Sequence, residues 1–311
     1  MKKLLALLLA LLLLTGCTGV TTEPTLPPTE PPTEPPVTEA PTEPEPTLGP
    51  DGMYVHFMDV GQADGFLLEC DGQFALIDGG YPEGAEKVIS YLADRGVEKL
   101  DLVVATHPHG DHIGAIPAVL EAYPAETFWS SVFTYSNNYT ASLKAVMDAQ
   151  GLTRYVPQIG EVFQLGDATI TVLGPVRTDY DDTNDVSLVL MLQFGDIRFL
   201  FTGDMEEIAE HDLLDSGADV KADVLKVGHH GSYSSSSYRF LREVNPTYAV
   251  ISVGGNNDYG HPHREPMSRL QDADIIILRT DKMYDIVAYT DGVGIEFTWE
   301  NRYAKPWTPA A

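Results

Sequence analysis

The sequence predicts an α/β fold in which two β-sheets pack face to face and helices cover the outside. Two observations carry that expectation. From Met53 onward, apolar runs of strand length alternate with segments of helical periodicity, and the second half repeats the vocabulary of the first. Several apolar runs also end in loops rich in histidine or aspartate, the arrangement in which a rigid sheet edge carries a site. The chain has 311 residues, 43% of them hydrophobic, which is enough for one sizeable core or two small ones.

The first 50 residues read differently. "MKKLLALLLALLLLTGC" has two lysines, an apolar run too short for a comfortable membrane span, and small residues before Cys17. It reads as a secretory signal over 1–17. Its "LTGC" resembles a bacterial lipobox, so Cys17 is expected to carry lipid. Residues 18–50 form a Thr-Glu-Pro tract. Proline blocks helix and sheet pairing and the glutamates repel, so the tract reads as an extended spacer. The expectation is a lipid-anchored domain, residues 51–300, held off the outer face of a bacterial membrane, with a tail over 301–311. With Cys17 lipidated, Cys70 in "GFLLEC" stands alone and reads as a buried, inert thiol.

Within the domain, "MYVHFMDV" reads as a strand, and "DGFLLEC" and "QFALIDGG" as a hairpin turning at Asp71-Gly72. "EGAEKVISYLADRG" is an amphipathic helix closed by Gly96. "LDLVVAT" is a continuous apolar strand, followed by the helix "IGAIPAVLEAY", the strand "ETFWSS" and the helix "TASLKAVMDAQG". Strands follow at "EVFQLG", "ATITVLGP", "SLVLMLQFG" and "IRFLFTGD", then the helix "MEEIAEHDLLDSG" and the strand "ADVLKVGHH". The helix "SSSYRFLREVN", the strand "TYAVISVG", the helix "REPMSRLQDA" and the strands "DIIILRT", "YDIVAYT" and "VGIEFTW" complete the pattern.

"THPHGDH", residues 106–112, is the strongest chemical signal. Imidazole and carboxylate suit zinc and manganese. Alternate residues of an extended segment point the same way, so His107 and His109 can address one ion. Asp111 and His112 then turn onto a helix and can address a second. "FTGD" puts Asp204 at a strand end, where it could bridge the two; "LKVGHHGS" puts His229 and His230, and "GHPHR" His261 and His263, after other strands. His56, inside a strand, reads as structural, and His211, in an acidic helix, as solvated.

These motifs, with "HFMDVGQADGFLLE", "LIDGG", "NDVSLVLML" and "FTGDME" in order, resemble the metallo-β-lactamase-fold hydrolases. The resemblance is closer to the branch containing the C-terminal domain of the competence protein ComEC and phosphorylcholine esterase. It covers roughly residues 53–290, about three quarters of the chain. It implies a four-layer αβ/βα sandwich with a metal site at one edge, holding one or two divalent ions, zinc or manganese. By motif, His107 and His109 would hold the first ion, Asp111 and His112 the second, and Asp204 both. His229 and His261 are favoured as further ligands, with His230 and His263 as phosphate contacts or proton donors, because adjacent strand-end residues point opposite ways; the members of each pair can also exchange roles. The wider fold has a further histidine where this chain reads "TNDVSLVL". Asn184 and Ser187 there, and Ser232 in "GSYSSSSY", are candidates for substrate binding. That serine run reads either as a phosphate cradle or as a flexible linker. Asp59, Gln62 and Asp64 in "DVGQADG" either support the ligating histidines from behind or cap a turn.

The expected chemistry is hydrolysis by metal-activated water, with Asp111 and Asp204 orienting the nucleophile and a phosphodiester, DNA or an envelope group, as substrate. A lactone, β-lactam or thioester hydrolase, or a non-catalytic surface module, are the alternatives. The net charge of −27 repels nucleic acid unless bound cations reverse the local field. Nothing in the sequence marks a protein partner.

Overall fold

The computed structural model describes residues 52–134 and 136–301. The expected signal, Cys17, the tether and the tail beyond Asn301 lie outside the described residues. The strands are β1 (Met53–Phe57), β2 (Phe66–Cys70), β3 (Gln73–Ile77), β4 (Leu100–Ala105), β5 (Ala125–Ser130), β6 (Arg154–Tyr155), β7 (Val162–Leu165), β8 (Ala168–Gly174), β9 (Val189–Phe194), β10 (Ile197–Phe201), β11 (Val224–Lys226), β12 (Tyr248–Ile251), β13 (Ile276–Arg279), β14 (Asp285–Thr290) and β15 (Ile295–Glu300). The helices are α1 (Ala85–Asp94), α2 (Gly110–Ile113), α3 (Ile116–Ala122), α4 (Asn138–Gln150), α5 (Glu207–Asp215), α6 (Tyr238–Val244), α7 (Arg264–Asp272) and α8 (Thr280–Met283). None of the helices among the described residues is long and apolar enough to cross a membrane.

Two mixed sheets form, in the orders β15-β14-β1-β2-β3-β4-β5-β6 and β13-β12-β11-β10-β9-β8-β7. Three apolar clusters define four layers. Phe57, Phe66, Leu102 and Val104 of the first sheet meet Ile170, Leu190, Phe199 and Phe201 of the second. On the outer faces, Val103 and Ala105 pack with Val88, Ile116 and Leu143 of α1, α3 and α4, while Leu200 and Leu225 pack with Leu213, Phe240 and Leu270 of α5, α6 and α7. This is why β4 reads as a nearly continuous apolar run, with Asp101 near its start accepting the Phe74 N–H: it is buried on both faces. Truncating a side chain such as Phe201, 1% exposed, would cost about 3–5 kcal/mol.

The hairpin β14–β15, late in the chain, joins the first sheet: β14 pairs antiparallel with β1, Met53 opposite Thr290, and covers an edge that would otherwise leave backbone groups unpaired. Two expectations change. The helix expected over 113–123 is two, α2 and α3; Pro117 lies in the first turn of α3, where its missing N–H costs nothing. The strand expected to run through "VGHH" stops at Lys226, because His229, His230 and Gly231 adopt left-handed backbone angles. The turn at Asp71-Gly72 is as expected, with φ of 53° and 72°.

Strands β3 to β6 run parallel to one another, as do β10 to β13. The loops leaving β4, β10, β11 and β12 therefore share one edge of the sandwich, and those loops hold the histidines and aspartates singled out above.

Candidate metal centre

Asp204 Oδ2 is the focus. The Nε2 atoms of His112, His229, His230 and His107 lie 3.2, 3.7, 3.7 and 3.8 Å from it. Asp111, His112, Asp204 and His230 each offer a donor atom, all within 4.8 Å of one another. Next to them, His107 packs its ring 4.0 Å from that of His112, and its Nε2 lies 3.1 Å from His109 Nδ1. His107, His112, Asp204 and His230 are at most 1% exposed.

The chain fixes which nitrogen each ring presents. His112 Nδ1 meets Asp78 Oδ2 at 2.7 Å, and Asp78 is itself held by the Thr106 N–H at 2.9 Å and hydroxyl at 2.6 Å. His230 Nδ1 donates to the Ser252 carbonyl at 2.9 Å, and His229 Nδ1 meets Glu206 at 2.9 Å. Each Nδ1 thus has an oxygen partner, leaving each Nε2 to face Asp204. His112 Nε2, His230 Nε2 and Asp204 Oδ1 are buried without hydrogen-bond partners. Such atoms are costly unless something binds them, and two imidazoles with two carboxylates suit zinc or manganese. The residues present fit a divalent ion.

Burial opposes ionisation of Asp204, but His112 and His230 hold its carboxyl well below the usual range. Burial likewise opposes the Asp111 carboxylate, and His230 and His112 keep it low. His107, desolvated by burial and repelled by His112, stays neutral to well below the usual histidine value. The other two imidazoles go the opposite way: burial disfavours their charged forms, but Asp204 with Asp78 raises His112 well above the usual value, and Asp204 with Asp64 raises His230 to about 9. Asp204, Asp111 and His107 thus sit in the protonation state that binds a cation, and an ion at His112 and His230 would take the place of their protons.

The remaining candidates divide. Asn184 and His261 line the adjoining cavity of about 350 Å³, with Gln62, Tyr81, Tyr139 and Tyr259. Gln62 Nε2 lies 3.1 Å from His261 Nδ1, and its Oε1 accepts the Gly254 N–H at 3.1 Å. Asp64 lies 3.3 Å from His230 Nδ1. Asp59 supports no histidine: its carboxylate caps Gly61, and its N–H donates to Asp285. Ser187 does not face substrate; it is buried and accepts the Asp204 N–H at 3.1 Å. Ser232 is likewise buried, bonded to Ser234 at 2.9 Å. His263 lies outside the cavity lining, its Nδ1 accepting the Tyr233 N–H at 3.0 Å. The serine run is no loose linker, for Glu210 accepts the N–H groups of Ser236 and Ser237. His229 and His230 do not point opposite ways, because strand alternation lapses at φ of 46° and 51°. His56 is buried against Tyr91, His211 sits beside Glu207 at a half-exposed position, and Cys70 is buried and free.

The family model of the metallo-beta-lactamase superfamily matches residues 58–255. The chain belongs to the metallo-β-lactamase superfamily. Within the superfamily it is 31% identical over 255 residues to ComE operon protein 3 of Bacillus subtilis, covering 76% of this chain and 33% of that protein. It is 33% identical over 224 residues to recombination protein 2 of Haemophilus influenzae, covering 70% and 26%. The chain thus matches a third or less of the length of these relatives. Among solved structures, the metallo-β-lactamase-fold protein YhfI of Bacillus subtilis superposes with a TM-score of 0.53 at 14% identity, over 76% of this chain and 99% of that one. The metallo hydrolase Igni18 of Ignicoccus hospitalis gives 0.50 at 18%, over 75% and 98%. Both likenesses speak to the superfamily fold.

Asp78, Glu206 and Lys226 escaped the sequence reading as site residues. Asp78 had a signal, an aspartate before two glycines at a strand end, and its φ of 56° marks a constrained position. Glu206 and Lys226 read as an ordinary helix start and strand end.

Proposed function

We propose that this metal-dependent hydrolase cleaves a compact phosphodiester. The observation that carries it is Asp204 Oδ2 between four histidine Nε2 atoms, at the floor of an open cavity. In this reading His107, His109 and His229 would hold one ion and Asp111, His112 and His230 another, with Asp204 as the carboxylate available to both. Bound zinc or manganese supplies a water acidified to about pKa 7 and an electrophile for the phosphoryl oxygens. The third histidine for the first ion then comes from the His229 turn, where "TNDVSLVL" offers none.

The chain's own groups supply the rest. Burial, with His230 and His229 nearby, lowers His261 to about 4, so its ring is neutral near pH 7. Gln62 Nε2 is a donor, so His261 Nδ1 accepts and its proton sits on Nε2. His261 is thereby set to hydrogen-bond the departing oxygen through its Nε2–H, in place of His263, while the proton that oxygen takes up comes from solvent. Asp111 orients the water, Asn184 faces the substrate, and the three tyrosines frame the entrance.

The choice of a compact diester rests on charge. No Lys or Arg is among the described residues that line the cavity, and the chain carries −27. Long DNA brings further phosphates that ask for such partners. The names of the relatives point to competence and recombination, which supports the phosphodiester bond class. The lipobox-like "LTGC" and the proline-rich tract support action at the outer membrane face, tethered through Cys17; a Cys17→Ala variant is expected in the soluble fraction, and its retention on membranes contradicts the tether. For the reaction, bis-(p-nitrophenyl) phosphate and duplex DNA are assayed side by side with zinc or manganese. Chelator-sensitive turnover of the small diester, about tenfold or more above DNA per bond, is expected. Hydrolysis of nitrocefin or an acyl lactone without diester cleavage overturns the reading.

A further inference from the structure

Beneath the four-donor group lies a second cluster. Donor atoms of Asp64, Asp78 and His112 fall within 4.8 Å of one another, all completely buried. Two carboxylates and an imidazole in a dry place form a natural cation site. A cation adjoins it. Lys226, the last residue of β11, is 1% exposed, and its ammonium contacts Asp64 Oδ2. It also donates to the Gly203 carbonyl at 3.3 Å, and lies 5.9 Å from the centre of the Phe66 ring.

Asp64 connects this ammonium to the ligands above. Its Oδ1 is 3.3 Å from His230 Nδ1, its Oδ2 is 3.8 Å from His112 Nδ1, and its N–H donates to the Asp111 carbonyl at 3.0 Å. Gly203, held by Lys226, precedes Asp204. One buried ion pair therefore touches His112 and His230 directly, and Asp111 and Asp204 through the backbone. Burial alone would raise the Asp64 carboxyl; Lys226, then His230 and His112, hold it below the usual range.

We propose that Lys226 is a positioning residue, a resident cation that pairs with Asp64 at the edge of the Asp64–Asp78–His112 cluster and through Asp64 sets His112, His230 and Asp111 for the metal ion. A fixed ammonium has two consequences. It keeps a divalent ion out of the lower cluster, and it satisfies an Asp64 charge that would otherwise pull both imidazoles downward. The inference rests on the metal reading above, but it assigns a role to a residue outside the ligand set.

The test compares wild type, Lys226→Met and the double variant Asp64→Asn/Lys226→Met. Methionine keeps a long apolar stem without charge, and the double variant leaves no buried charge unpaired. Zinc dissociation constants are measured by competition with a chromophoric chelator on protein shown to unfold cooperatively. Visible absorption of the cobalt(II) forms reports ligand geometry. Both variants are expected to bind zinc about tenfold or more weakly, with a shifted cobalt spectrum. If Lys226→Met does not fold, the double variant carries the same expectation. Folded variants with zinc constants within about twofold of wild type and an unchanged cobalt spectrum overturn the proposal and leave a merely structural ion pair. A wild-type protein that takes up no divalent ion refutes the metal reading itself, a distinct result.

Discussion

The two histidine loops of the centre reach the same aspartate by opposite backbone routes. The loop after β4 runs extended, with His109 at φ −78°, ψ 152°, and turns into α2. The turn after β11 winds left-handed through His229 and His230, at φ 46° and 51°. The first spreads its donors along a strand path and the start of α2, and brings the His107 and His112 rings together, 4.0 Å between centroids, beside Asp204. The second presses two adjacent residues toward one oxygen, each Nε2 at 3.7 Å. An extended loop places ligands by alternation, whereas the turn does so through unfavourable angles costing about 1–3 kcal/mol each, offset by the packing around it.

Removing the oxygen both loops share should have the largest effect. Asp204→Ala is expected to lower hydrolysis about 1,000-fold or more and to abolish tight zinc binding, read by turnover and chelator competition. Next, His230→Ala should weaken zinc about 100-fold and His229→Ala about tenfold, since His230 is buried in the four-donor group and His229 is 24% exposed. Equal losses would mean the turn's two histidines are equivalent and the asymmetry is illusory.

Glycine substitutions separate the backbone routes. At Gly231, φ is +80° and an added Cβ would lie 2.6 Å from Pro262 Cβ. Gly231→Ala should therefore cost about 2–4 kcal/mol in denaturant unfolding. At Gly110 the new Cβ would meet the Tyr139 ring at 2.5 Å, but that half-exposed side chain can swing aside. Gly110→Ala should cost about 1 kcal/mol, and more than that would show the extended loop to be as constrained as the turn.

A pH-dependent effect concerns the serine run that follows the left-handed turn. Glu210 of α5 accepts the Ser236 and Ser237 N–H groups, and burial raises its carboxyl to about 7. A folded value above the unfolded 4.5 means the folded state binds the extra proton. The stability this confers is present below about pH 4.5 and is lost as pH rises through about 7. Glu210→Gln, neutral throughout, should gain on wild type by up to about 3 kcal/mol between pH 5 and pH 8 in thermal unfolding. A pH-independent difference would remove Glu210 from the account.

The same contrast explains what the sequence could disclose. His107, His109, Asp111 and His112 were legible because extended backbone has a fixed period and the run follows a doubly buried strand. The layers were legible because β4, β9 and β10 are apolar on both faces. The direction of His229 and His230 was not, since nothing short of the fold forces two non-glycine residues into left-handed angles. Asp78 acts on His112, 34 positions away, and Lys226 on Asp64, more than one hundred positions away, through contacts set by sheet order. The pairing of β14 with β1, more than two hundred residues apart, is equally non-local.

The most direct test of the central claim, that Asp204 gathers two ions between the loops, is metal stoichiometry. The domain from residue 52 to 301 is analysed for bound metal and assayed on bis-(p-nitrophenyl) phosphate, before chelation, after it, and after reloading. About two equivalents of zinc or manganese are expected, with turnover lost on chelation and restored on reloading. No more than a trace of metal, or turnover that persists after the metal is gone, would contradict it.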